Sequence, residues 1–175
     1  LDTLLQRNAD PDDALYASID PKKIAVAGTS LGGLTSILAT FHRQMRDPRI
    51  AAAISIAGPT SMFTTDFFNG SSVPFLMIHG VGDAIVPYVD NATPVAQKYP
   101  ASILVSLRDA SHAGFAQPAS TVMRFISNPD GVGCRAVLEG LEDELAAQNG
   151  QLMSLLGSAA DGIKPDTKIE ICTSP

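Results

Sequence analysis

Apolar residues along the chain fall into short unbroken runs that alternate with stretches of helical spacing. Ile24-Ala25-Val26-Ala27 is apolar throughout, the pattern of a parallel strand covered on both faces, and it runs into a glycine. From there Leu31, Leu34, Leu38, Phe41 and Met45 recur on one face, so a helix is predicted over 31–45 directly after the strand. Residues 51–56, 75–78 and 102–107 repeat the strand pattern, and 89–98 and 119–126 the helical one, while 61–72 carries no decisive periodicity. Ahead of the first strand, 1–7 reads as the last turns of a helix, and the Asp-rich stretch 8–20, with Pro11 inside it, as a surface loop. After Pro129 the strand signal fades: 134–147 and 151–156 read as helices and 168–172 as a short terminal extension. Strands alternating with helices predict an α/β fold, a mainly parallel sheet flanked by helices. A length of 175 residues suits one domain over 1–175, with 129–175 as its helical C-terminal extension.

Charge and composition remove several kinds of partner. The net charge is −6, and the 12 Lys and Arg are scattered, so no basic stripe exists to neutralise phosphates and nucleic acid is not expected. No apolar run approaches the roughly 18 residues of a membrane span. The chain opens on Leu1 without a charged-then-apolar leader, so any signal segment lies outside it. The two cysteines, Cys134 and Cys172, lie in loop-like settings. A bond between them, closing a separation of 38 residues, would contribute about 4 kcal/mol and imply an oxidising compartment, hence a secreted or periplasmic protein. The alternative is a pair of free buried thiols. Asn69-Gly70-Ser71 and Asn91-Ala92-Thr93 fit the N-glycosylation pattern, which also arises by chance.

The junction between the first strand and its helix carries the chemistry. Gly28-Thr29-Ser30-Leu31-Gly32 is a G-x-S-x-G sequence placed between strand and helix, the setting of a nucleophile elbow. The serine of such a turn sits on tight, strained backbone, where a side chain at Gly28 or Gly32 is expected to collide with its neighbours. The helix opening at Leu31 aims its positive end at the site, which makes the Leu31 amide the candidate oxyanion donor. Gly33 reads equally well as helix–sheet packing. The plain alternative is a glycine-rich turn with an ordinary serine.

A serine hydroxyl needs a base to take its proton and a carboxylate to orient that base. Of the three histidines, His42 lies several turns along the helix after Ser30. His79 ends the third strand just ahead of Asp83. His112 follows the fourth strand, in a loop at the carboxyl edge where open α/β sheets bind ligands, and is the candidate base. Asp83, trailed by Ile85-Val86-Pro87, is the candidate acid, with Asp66 and Asp109 as rivals. The order Ser, Asp, His is the one expected when an elbow serine is the nucleophile.

Residues 20–33, then Val73-Pro74 through His79-Gly80 to Asp83 and Val86-Pro87, then Ser111-His112-Ala113-Gly114-Phe115, together resemble the dienelactone-hydrolase-like and platelet-activating-factor-acetylhydrolase-like α/β hydrolases. The resemblance runs from Ile19 to Ile126. Thr29 departs from the His often found before the serine in that group. Dienelactone hydrolases proper use cysteine as nucleophile, so Ser30 lies toward the esterase side. The resemblance implies an α/β-hydrolase fold, an ester substrate, an acyl-enzyme intermediate, and neither metal nor cofactor. It also implies strands ahead of the elbow strand and a second oxyanion donor on one of their loops. Nothing in 1–23 supplies them, so the expectation is the carboxyl-terminal part of a hydrolase, completed by a missing N-terminal segment or a second chain. Met62, Phe63, Phe67, Phe68, Ile85 and Phe115 fall near the expected mouth and are candidates for an acyl or alkyl pocket, with core packing as the alternative. A neutral carboxylic ester of short or medium chain fits first. Lipase, thioesterase, amidase and polyester hydrolase activity stay open, as does a non-catalytic hydrolase-like binding or scaffold protein.

Overall fold

The computed structural model describes residues 1–116, 125–126, 128–131, 133–135, 138–139, 156–164 and 172. Strands β1 (Ile24–Thr29), β2 (Ile50–Ile56), β3 (Phe75–Gly80) and β4 (Ser102–Leu107) form a parallel sheet whose spatial order follows the chain. Helix α1 (Asp2–Ala9) precedes it. The connections are α2 (Leu31–Phe41), the short α3 (Thr65–Phe68), and the pair α4 (Tyr88–Asn91) and α5 (Thr93–Lys98). Because all the strands run the same way, the segments after β1, β3 and β4 emerge at one carboxyl edge. That edge is where the sequence placed its candidate chemistry.

The predicted strands are all present, and three differences have physical causes. Helix α2 stops at Phe41, short of Met45, because His42 takes extended backbone and its Nδ1 accepts the Gln44 and Met45 amides, both at 3.1 Å. The helix expected over 89–98 divides at Ala92, since Pro94 has no N–H to continue the ladder and starts a new first turn. Strand β1 is not covered on both faces: its burial alternates, with Ala25, Ala27 and Thr29 exposed on one face, and it is an edge strand among the described residues, paired with β2. Strand β4 likewise exposes Ile103, Val105 and Leu107. The predicted helix at 119–126 lies outside the described residues except for 125–126, which form a turn and a bend. Of the C-terminal predictions, residues 133–135 and 138–139 are helical, as is Leu156; the rest of 134–147 and 151–156 lies outside the described residues, as does 168–172 apart from Cys172.

The core lies on the α2 side of β2 and β3. Ile37 and Phe41 from α2 meet Phe75 and Met77 of β3, Phe67 and Phe68 of α3, and Val95 and Tyr99 from the α5 segment. Phe41 is its centre, set edge-on to Phe68, Phe75 and Tyr99 at ring separations of 5.2, 5.5 and 5.2 Å. Such edge contacts add about 0.5–1.5 kcal/mol per pair beyond the area they bury. Helix α1 buries no side chain and is tied down by Arg49, which reaches Asp2 at 2.7 Å.

Cys134 and Cys172 are bonded, with Cα atoms 5.5 Å apart. Reduction is expected to lower unfolding stability by about 4 kcal/mol. Urea titrations with and without reductant measure it, and coincident curves would contradict a bond that contributes to stability.

Candidate active site

Ser30 sits at φ 56° and ψ −120°, a left-handed conformation that side chains rarely adopt. Two backbone hydrogen bonds hold it there: its N–H donates to Ile56 at 2.8 Å, and its carbonyl accepts from Leu34 at 3.0 Å. A Cβ at Gly28 would collide with the Gly32 carbonyl, so the turn closes only with glycine at 28. Gly32 corrects the sequence expectation, because a Cβ there meets nothing within 4 Å. Its side faces open space at the start of α2. Gly33 does have a packing role: a Cβ would stand 2.6 Å from Ser55 Oγ and 3.0 Å from Gly58 Cα, so its absence lets α2 lie directly on β2. Leu31 is the first residue of α2, where an amide has no partner within the helix, and the residue is 67% exposed.

The structure brings Ser30, His112 and Asp83 together. His112 Nε2 is 3.0 Å from Ser30 Oγ, and His112 Nδ1 is 2.7 Å from Asp83 Oδ2. A carboxylate only accepts, so Nδ1 carries the proton and Nε2 is left free to accept the serine hydroxyl. Asp83 is 4% exposed, and its Oδ1 accepts the Val86 amide at 2.7 Å. His79, fully buried, lies with Nε2 2.8 Å from the Val86 carbonyl and 3.3 Å from Asp83 Oδ2. Burial pushes the Asp83 carboxyl up, but hydrogen bonds from His112, His79 and Val86, with the attraction of His112, hold it below its ordinary value of 3.8.

A depressed carboxyl contributes stability that is present above the unfolded pKa and lost as pH falls through the lower folded value. The stability difference between wild type and Asp83→Asn is therefore expected to be largest above about pH 4 and to shrink in more acid solution. Denaturation curves across that range measure the trend; a difference constant with pH would exclude this linkage.

The rival residues are elsewhere. His42 is 1% exposed at the far end of α2, with Nε2 2.9 Å from the Leu156 carbonyl. Asp66 is exposed and accepts from Asn69 at 3.0 Å, and Asp109 is exposed on the loop after β4. Met62, Phe63 and Phe67, proposed from sequence as pocket residues, have 0% exposure and belong to the core, as does Phe68 at 2%. The loop after β2 turns inward because Asn91 Oδ1 accepts the Thr60 and Ser61 amides at 2.8 and 3.1 Å, and Phe63 then stacks on Phe67 at 3.9 Å. That same role leaves Asn91 fully buried, so its glycosylation triplet is inaccessible in the folded chain. Ile85 and Phe115 are half-buried, beside the acid and the base in sequence.

Sequence reasoning missed Asp130. It is 1% exposed, and its carboxylate accepts the backbone amides of Ala84, His112 and Ala113. Asn128-Pro129 precedes it and Asn128 Oδ1 accepts the Gly131 amide at 2.9 Å, an N-cap pattern in which an acid reads as an ordinary first-turn residue.

A parallel α/β sheet with a serine elbow at its carboxyl edge is the framework of an α/β hydrolase. Residues 1–128 match the family described as PETase: PET hydrolase-like, and the chain belongs to that family. No curated protein matches it. Among solved structures it is similar to the acylaminoacyl peptidase of Pyrococcus horikoshii in its orthorhombic crystal form, at 14% identity and a TM-score of 0.49. That match covers 65% of this chain and 24% of the peptidase, so the chain spans about a quarter of that protein's length.

Proposed function

We propose that this chain is a serine esterase that cleaves carboxylic esters through an acyl-enzyme. The observation that carries the reading is the continuous contact from Asp83 through His112 to Ser30, at 2.7 and 3.0 Å, on a strained elbow. Ser30 Oγ bonds to the ester carbonyl carbon while its proton passes to His112 Nε2. The Leu31 amide donates to the oxygen that gains charge. As the tetrahedral centre collapses, the carbon–alkoxy bond breaks and the alcohol leaves with the proton from His112. Water then attacks the acyl carbon while giving a proton to His112, and as the carbon–Oγ bond breaks His112 returns that proton to Ser30 Oγ, freeing the acid. Asp83 keeps the imidazole in the required tautomer throughout.

The family's name, PET hydrolase-like, favours a polyester among the ester substrates. Of the candidates for an acyl or alkyl pocket, Phe115 is half-buried and stays one, whereas the Ile85 side chain packs toward Gly133. The disulfide is compatible with a secreted or periplasmic location, and no helix among the described residues is long and apolar enough to cross a membrane.

A p-nitrophenyl ester chain-length series run beside PET film, with Ser30→Ala as control, tests the proposal. Turnover that depends on Ser30, with covalent fluorophosphonate labelling of that residue, is expected. Absence of both would favour a non-catalytic binding protein.

A further inference from the structure

We propose that Asp130 is a positioning residue that fixes the acid loop and the base loop relative to each other; this rests on Ser30, His112 and Asp83 being a working triad. Asp83 and His112 come from separate segments, after β3 and after β4. Their side chains meet at a single contact, His112 Nδ1 to Asp83 Oδ2. Loop segments at a sheet edge are mobile unless their backbone groups are held.

The Gly82 N–H donates to the Ala110 carbonyl at 3.1 Å, ahead of both side chains, and Asp130 holds the backbone beyond them from a third segment. Its Oδ2 accepts the Ala84 amide at 2.9 Å, one residue past the acid, and the His112 amide at 2.9 Å, on the base itself. Its Oδ1 accepts the Ala113 amide at 2.8 Å. One buried carboxylate thus fixes the backbone beside both partners of the triad hydrogen bond. A charged acceptor makes these bonds stronger than neutral ones.

The helical segment that carries Asp130 is pressed against the same loop at further points. A Cβ at Gly133 would lie 2.7 Å from Ile85 Cδ1, so glycine there permits the close approach. Cys134 Sγ lies 3.6 Å from the Ala84 carbonyl, and its disulfide partner donates the Cys172 amide to the Ile85 carbonyl at 2.8 Å. The clamp therefore acts on Ala84-Ile85 at several points, and Asp130 extends it to the base loop.

Asp130→Asn keeps the shape of the side chain and removes its charge and one acceptor. With Ala84 and His112-Ala113 no longer tied to one carboxylate, and among the described residues only the Gly82–Ala110 backbone bond left between the loops near the triad, kcat on a p-nitrophenyl ester is expected to fall about 10²-fold, the cost of a displacement near 1 Å, with KM little changed. The low-field proton resonance of His112 Nδ1–H, which reads its bond to Asp83 without substrate, is expected to broaden or vanish in the variant. A merely structural Asp130 would lower the melting temperature yet leave kcat and this resonance as in wild type, and that result would overturn the proposal. Should the variant not fold, hydrogen exchange in the wild type decides: the Ala84, His112 and Ala113 amides must be protected, and free exchange at any of them would break the clamp. If wild type shows no Ser30-dependent turnover, the esterase reading fails, while the resonance and the exchange rates still report on Asp130.

Discussion

Replacing Ser30 by alanine is expected to lower kcat toward a p-nitrophenyl ester by on the order of 10⁴- to 10⁶-fold while KM stays near its wild-type value. In the proposed mechanism the hydroxyl oxygen is the atom that becomes bonded to substrate, and no other group in the described site stands at its place. His112→Ala is expected to match it, and the double variant to be hardly worse than either, because nucleophile and base act as one unit. Asp83→Asn loses on the order of 10⁴ by a different route. The amide can donate to His112 Nδ1, which stabilises the tautomer whose Nε2 carries the proton and cannot accept from serine. Steady-state kinetics on the four proteins separates these cases. Additive losses in the double variant would mean that Ser30 and His112 do not share a step.

The second large effect is on stability, and it distinguishes two glycines that look alike in sequence. Gly28→Ala places a methyl into the backbone of Gly32, which cannot rotate away, and is expected to destabilise the fold by about 3 kcal/mol or more. Gly32→Ala places the same methyl in open space within a helix, where alanine is favoured over glycine by about 0.5–1 kcal/mol. Urea unfolding of the pair is expected to move in opposite directions. Equal losses would show that the elbow is closed by some constraint other than the contact between 28 and 32.

Much of this molecule was legible because its signals are local. Short, mostly apolar runs marked the strands, and the contact of Ser30, His112 and Asp83 followed from residue chemistry plus position: a serine between strand and helix, an acid and a histidine each just past a later strand. What could not be read depends on the direction a loop takes in space. Phe63 and Phe67 look the same in sequence whether they line a mouth or fill a core; the decision rests with Asn91, a distant residue that draws the Thr60-Ser61 backbone inward. Asp130 is invisible for a related reason, since its partners are main-chain amides on two remote loops and amides leave no trace in a sequence. The end of α2 was missed because a histidine side chain, not a glycine or proline, satisfies the amides that follow it.

A left-handed conformation costs a residue with a side chain about 1–3 kcal/mol and costs glycine almost nothing. Ranked by folding alone, glycine is the better residue at position 30. A serine there means that the chain gives up local stability to keep one hydroxyl beside His112, and a library of variants sorted only for heat resistance is expected to drift toward glycine at position 30 and, under the proposed mechanism, toward an inert protein.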